Sequence, residues 1–162
     1  MLQSLTSAVV VQDTASMHAL GVRLAAMFVP GDVIALEGVM GAGKTTLVQG
    51  IAWGLGLPQD QYAQSPSYAV AISYPTTPVL HHLDLYRFLE NINIADIDAY
   101  LSSTDVTIVE WPQALYEHKE IVKYTISIEM LNFENAAERP CMRTVSVYDY
   151  STMSYLDLKG IV

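Results

Sequence analysis

Residues 38–45 read Gly-Val-Met-Gly-Ala-Gly-Lys-Thr: a glycine, four residues, then Gly-Lys-Thr in one unbroken run. Glycines let a backbone wrap with successive amides pointing inward, which makes a nest for anionic oxygens. A helix that begins near Lys44 adds the positive end of its dipole to that nest. The chemistry is phosphate binding. Gly38, Val39, Met40, Gly41, Ala42 and Gly43 form the cradle, Lys44 reaches the β- and γ-phosphates of ATP, and the Thr45 hydroxyl ligates magnesium. The same pattern arises by accident in under ~1% of chains of this length.

Such a P-loop also needs a carboxylate at the end of a neighbouring strand. Two positions qualify. Asp84 follows Val79-Leu80-His81-His82-Leu83, and Glu110 follows Val106-Thr107-Ile108-Val109. Each acid closes an apolar strand at its carboxyl end, where open α/β sheets bind ligands. Neither has a doubled acid. Magnesium takes one or two carboxylates beside phosphate oxygens, and the hydrolytic water needs an orienting group. His81 and His82 are adjacent, so a strand points them to opposite faces; packing, not a two-histidine metal site, is expected of them. Trp53 and the tyrosines are expected in the core or at its rim, and Cys141, without an activating neighbour, is expected to be structural.

The elements that position these residues follow from periodicity. The β-branched run Val9-Val10-Val11 predicts a strand. Asp13 and Thr14 then start a helix with Met17, Leu20, Leu24 and Met27 or Phe28 on one face, closed by Pro30 and Gly31. Residues 33–36 are a continuous apolar strand of the kind buried on both faces of a parallel sheet. The loop follows at once, and then Leu47, Val48, Ile51, Ala52 and Leu55 give a helix ended by Gly54, Gly56 and Pro58. Residues 68–74 and 79–83 predict a strand pair about a turn at 75–78. The spacing of apolar residues predicts a helix over 87–101. Strands are expected at 106–109, 122–128, 144–148 and 155–158, with a polar loop at 132–139. The fold expected is α/β, a P-loop NTPase-like three-layer arrangement with a mixed, mostly parallel central sheet, as a single domain over 1–162.

Composition narrows the partners. With 51% hydrophobic and only 15% charged residues, the chain is a packed globular sequence. Mean hydropathy is +0.27, yet the apolar runs fall far short of the ~20 residues that span a bilayer, so no membrane is expected. No basic residue precedes Arg23, so neither a secretory signal nor a transit peptide is expected, and a single cysteine suits a reducing, cytoplasmic setting. The net charge of -9 with only 8 basic residues argues against direct grip on tRNA or DNA, whose binding depends on phosphate neutralisation.

Four blocks in order resemble the bacterial TsaE proteins, the ATPase component of the machinery that makes threonylcarbamoyl-adenosine in tRNA. They are the loop extended to Thr46, then Ser65-Pro66-Ser67-Tyr68, then His82-Leu83-Asp84-Leu85-Tyr86-Arg87, then Val109-Glu110-Trp111-Pro112. The resemblance assigns Lys44 and Thr45 to phosphate and magnesium, Glu110 to magnesium, and Asp84 to catalysis or metal positioning. It sets Thr46, Trp111 and Ser67 beside the nucleotide, with 65–68 as a switch loop, and Thr14 near the adenine. It also implies that a TsaD–TsaB pair transfers the threonylcarbamoyl group and that this chain uses ATP to reset the pair, meeting tRNA only through the complex. The family usually has Asp where this loop has Val39 and Thr where it has Ser67, and a more regular acidic helix where this chain reads Glu90-Asn91-Ile92-Asn93-Ile94. Two other classes compete: a nucleotide-gated binding module that needs no turnover, and a small-molecule kinase. The kinase is disfavoured because, of the arginines Arg23, Arg87, Arg139 and Arg143, only Arg87 lies in a site motif.

Overall fold

The computed structural model describes residues 7–66, 68–88, 92–131 and 142–160. Ser67, Cys141 and the polar stretch 132–139 lie outside them.

Strand β1 (Val9–Val11) leads into helix α1 (Thr14–Ala25). Asp13 is the cap: its extended backbone lets the carboxylate accept the Ser16 amide at 2.7 Å, while Ser16 Oγ accepts the Asp13 amide at 3.1 Å. That reciprocal pair satisfies donors a helix start leaves open. Strand β2 (Val33–Glu37) runs into the glycine loop and then helix α2 (Lys44–Gly54). The helix ends in a Schellman arrangement. Gly56, at φ +103°, lets the Gly56 amide reach Trp53 O and the Leu57 amide reach Ala52 O.

Helices α1 and α2 touch backbone to backbone. A Cβ added at Gly21 would lie 2.6 Å from Leu47 O, and one at Gly54 would lie 2.7 Å from Val22 O. Small residues at this crossing seat the loop-bearing helix directly on α1.

The remaining strands are β3 (Ala71–Tyr74), β4 (Leu80–Asp84), β5 (Val106–Glu110), β6 (Tyr124–Met130), β7 (Arg143–Asp149) and β8 (Ser154–Tyr155). They form one mixed sheet in the order β1-β7-β6-β2-β5-β4-β3, with β8 beside β7. The four central strands β6, β2, β5 and β4 are parallel, and β3, β7, β1 and β8 are antiparallel to their neighbours. Alternation along the strands divides the core. Ile34, Leu36 and Ile108 pack under α1 and α2, whereas Val33, Ala35, Leu83 and Val109 pack with Leu85, Ile97 and Leu115 on the opposite face. The result is the three-layer α/β fold expected.

Register levels the strand ends. Leu36 and Asp84 both pair with Glu110, so the carboxyl ends of β2, β4 and β5 meet at one edge beside the loop.

Two expected elements differ. The helix expected over 87–101 is broken into a 3-10 turn (Tyr86–Phe88), a one-turn helix α3 (Ile94–Ile97) and a second 3-10 turn (Asp98–Tyr100), with residues 89–91 outside the described residues. Asn93 is the reason. Its backbone is extended, its side chain accepts the Ala95 amide at 2.9 Å and Asp96 accepts the Asn93 amide at 2.8 Å, so a new helix starts there. The strand expected over 155–158 is two residues long, Ser154–Tyr155. Asp157 turns the chain by accepting the Lys159 amide at 3.0 Å, and Leu158–Gly160 forms a 3-10 turn whose Leu158 enters the core.

Candidate functional site

The loop over 38–45 leaves β2 and closes on the first turn of α2. Gly43 occupies the N-cap in a left-handed conformation, φ +104°, and a Cβ there would approach Met17 Cε to 3.3 Å. The backbone conformation therefore favours glycine, and a larger residue would also have to displace the Met17 methyl by a few tenths of an ångström. No side chain caps this helix end, so its amides face the loop.

Lys44 departs from the exposed loop lysine that the motif alone suggests. It is only 6% exposed, and its Nζ donates to Gly38 O at 2.8 Å and Val39 O at 3.1 Å. Nζ also stands 4.4 Å over the Trp111 ring and 4.0 Å from Glu110 Oε2. Burial pushes the ammonium pKa down, and the charges of Glu110 and Asp84 oppose that shift. Lys44 thus satisfies two of the loop's own carbonyls.

Glu110 and Asp84 are both buried, at 3% and 5% exposure. Glu110 Oε1 accepts from Thr45 Oγ1 at 3.3 Å and lies 2.9 Å from His82 Nε2. Asp84 has different partners: its Oδ2 accepts from Ser65 Oγ at 2.8 Å, and its Oδ1 accepts the Tyr86 amide at 3.0 Å. One carboxylate therefore faces the helix start and the other holds the loop that begins at Ser65. That loop is rooted from behind. Buried Gln49 accepts the Ala63 amide, Trp53 Nε1 donates to Gln61 O at 3.1 Å, and the Tyr74 hydroxyl accepts the Gln64 amide at 2.9 Å.

The strand sends the two histidines to opposite faces, as alternation requires. His81 lies between Ser73 Oγ at 2.8 Å and Asp105 Oδ2 at 3.1 Å. His82 turns inward to Glu110, a contact that packing considerations alone do not anticipate.

These groups surround a cavity of about 630 Å³. Met40, Gly41, Gly43, Lys44, Thr45 and Thr46 line it from the loop and α2. Asp84, Glu110 and Trp111 line it from the strand ends, and Thr14 from the start of α1. Three loop residues of the motif point elsewhere: Gly38 turns its carbonyl to Lys44, Val39 is 60% exposed, and Ala42 is buried. Trp111 holds φ +56° and ψ +61°, uncommon for a bulky residue, and its ring meets Tyr86 at 4.8 Å. Arg87, also at the cavity, stacks on Tyr68 at 4.4 Å.

Arg143 is a site residue that sequence reasoning missed. From β7 its Nε donates to Ala42 O at 2.6 Å and its Nη2 to Gly41 O at 3.3 Å, and it borders the cavity. A separation of about a hundred residues leaves no local pattern to reveal it. A second arginine thus joins Arg87 here.

The family model described as "Threonylcarbamoyl adenosine biosynthesis protein TsaE" matches residues 11–141. Relatives called tRNA threonylcarbamoyladenosine biosynthesis protein TsaE include that of Bacillus subtilis, 37% identical over 97 residues covering 59% of this chain and 60% of the relative. That of Treponema pallidum is 31% identical, covering 74% of this chain and 84% of its own. The crystal structure of Bacillus subtilis YdiB superposes with a TM-score of 0.62 at 26% identity, covering 86% of this chain and 82% of that one. The match to the Bacillus subtilis relative thus spans less than two thirds of that protein's length. With the family model covering most of the sequence, and the loop, the strand-end acids and Trp111 converging in one site, the chain belongs to the TsaE family.

Proposed function

We propose that this chain binds ATP with magnesium in the cavity and hydrolyses it, as the ATPase subunit of threonylcarbamoyl-adenosine synthesis on tRNA. The observation that carries this reading is the convergence of Lys44, Thr45, Asp84 and Glu110 on one cavity at the end of parallel strands. Its volume falls within the roughly 300–1,000 Å³ of small-molecule sites.

The donor set fits the proposed ligands. Thr45, Glu110 and Asp84 offer hard oxygens, which suit magnesium, and among the described residues no cluster of three or more His, Cys, Asp or Glu could hold a metal alone. Magnesium at such a site takes phosphate oxygens beside its protein ligands. Bound there, magnesium supplies neutralisation of charge on the β- and γ-phosphates. Lys44 exchanges the carbonyls of Gly38 and Val39 for phosphate oxygens. Thr45 and Glu110 hold the metal. Asp84 orients the attacking water, whose oxygen bonds to the γ-phosphorus as the bond to the bridging oxygen breaks; both protons of the water leave with the released inorganic phosphate, and the electron pair of the broken bond stays on ADP. Thr46, Trp111 and Thr14 flank the nucleotide, and Ser65 reports γ-phosphate occupancy to the loop that includes Ser67.

In this reading the chain acts in the cytoplasm with a TsaD–TsaB pair and resets it for another round. It touches tRNA only through that complex, in keeping with the net charge of -9. No described helix is long and apolar enough to cross a membrane. The test is ATP hydrolysis by the purified chain, alone and with TsaD and TsaB. Turnover that rises with the partners and vanishes in Lys44→Ala supports the reading. Absence of turnover above that variant in both settings refutes hydrolysis. A non-hydrolysable analogue that sustains repeated rounds of modification would instead mark a nucleotide-gated binding module.

A further inference from the structure

The proposed chemistry uses no histidine, yet the surroundings of His82 are unusual. It is 0% exposed, in the middle of strand β4, between apolar register partners Ile72 and Ile108. Its Nε2 lies 2.9 Å from Glu110 Oε1, while its Nδ1 is buried with no hydrogen-bond partner among the described residues. A buried polar atom without a partner carries a desolvation penalty, so an aliphatic side chain would fill this position better. Packing therefore does not explain the imidazole.

Geometry does. A carboxylate only accepts hydrogen bonds, so in this contact the ring donates through Nε2 to Glu110 Oε1. We propose that His82 is a positioning residue for the magnesium ligand: its Nε2–H holds Oε1 of Glu110 and so presents Oε2 to the cavity. Oε2 is the oxygen 4.0 Å from Lys44 Nζ. Among the described residues the other hydrogen bond to this carboxylate comes from Thr45 Oγ1, at a longer 3.3 Å, and Thr45 is itself a proposed magnesium ligand. His82 is thus the support that does not also face the ligand. Orientation of a ligating group from behind commonly changes metal affinity by about 10- to 100-fold.

The inference rests on the magnesium reading of Glu110 and is separable from it. Three variants, His82→Leu, His82→Gln and His82→Asn, are compared by thermal denaturation without nucleotide and by the magnesium concentration that gives half-maximal stabilisation by ATP. Gln carries its amide nitrogen as many bonds from Cα as Nε2, and Asn carries its own at the position of Nδ1. The expected result is a magnesium midpoint raised about 10- to 100-fold in Leu and Asn and returned to within a few-fold of wild type in Gln. Nucleotide binding in a metal chelator stays unchanged. A Leu variant with the wild-type midpoint overturns the proposal, as do Gln and Asn variants that behave alike. If Leu fails to fold, the Gln and Asn pair decides. A wild type that ATP stabilises equally with and without magnesium overturns the magnesium reading itself, and this inference with it.

Discussion

Removing the Lys44 ammonium by Lys44→Ala separates a stability effect from a binding effect, and the structure sets the size of each. In the folded chain Nζ makes two hydrogen bonds to loop carbonyls, each of a charged kind worth about 1.5–3 kcal/mol. Against this stands the cost of burying the ammonium, which is the first cause of its lowered pKa. The freed carbonyls of Gly38 and Val39 adjoin an exposed loop, so water can satisfy them. The two contributions largely cancel, leaving a loss of about 1 kcal/mol, or roughly 2–4 °C in Tm for a chain of this size. Binding behaves differently, because truncating one partner of a desolvated charge contact costs about 2–5 kcal/mol. Taking a hundredfold loss of affinity, ATP at ~100 times the wild-type Kd stabilises wild type by about 2.7 kcal/mol and the variant by only about 0.4 kcal/mol. The assay is thermal denaturation with and without magnesium-ATP: a shift of roughly 5–10 °C in wild type and about 1 °C in the variant. A variant that folds and keeps the wild-type shift refutes the phosphate role of Lys44.

Glu110→Ala is expected to weaken magnesium-dependent nucleotide binding while Asp84→Ala mainly slows hydrolysis, because Glu110 contacts Thr45 and Asp84 contacts Ser65; equal loss of metal dependence in the two variants, by calorimetry, contradicts that division. Arg143→Ala frees the carbonyls of Gly41 and Ala42 and should lower nucleotide affinity about tenfold, an effect of ~1.4 kcal/mol, while an unchanged dissociation constant shows that the loop holds its shape without the brace. Gly50→Ala pushes a methyl into the His18 backbone at the α1–α2 crossing and should destabilise by at least about 1–3 kcal/mol in chemical denaturation; a wild-type midpoint contradicts the close packing. The isolated chain should bind little tRNA at physiological salt yet associate with a TsaD–TsaB pair when ATP is present, as sedimentation can test; no association in any nucleotide state counts against the partner assignment.

The place of the eight-residue loop between β2 and α2 was legible because its residues are contiguous: the proposed phosphate role needs glycines, lysine and threonine next to one another. Asp84 and Glu110 were legible for a related reason, since a short apolar run followed by an acid marks a strand end within five residues. Capping by Asp13 and the arrest of α2 at Gly54 and Gly56 are equally local. Where locality failed, the readings failed. The apolar residues of 87–101 suggested one helix, but Asn93 and Asp96 cap a new one, and the competition between a cap and a weak period is settled by which set of backbone donors the tertiary structure leaves open.

By itself the sequence determined the loop, the two strand-end acids, the α/β order of elements and the family resemblance, all of which reside in neighbouring residues or in short periods. Tertiary structure alone decided that Lys44 is buried on its own loop, that Ser65 rather than a second acid sits on Asp84, that Arg143 braces the loop and that His82 stands behind Glu110. It also decided that Gly21, Gly50 and Gly54 bring two helices into backbone contact. Lys44 is buried by carbonyls of its own loop, a local contact that the motif pattern does not specify. Each of the others depends on strands drawn into register or on a helix crossing, which join residues far apart in the chain, and a contact between distant residues leaves no spacing in the sequence from which to read it.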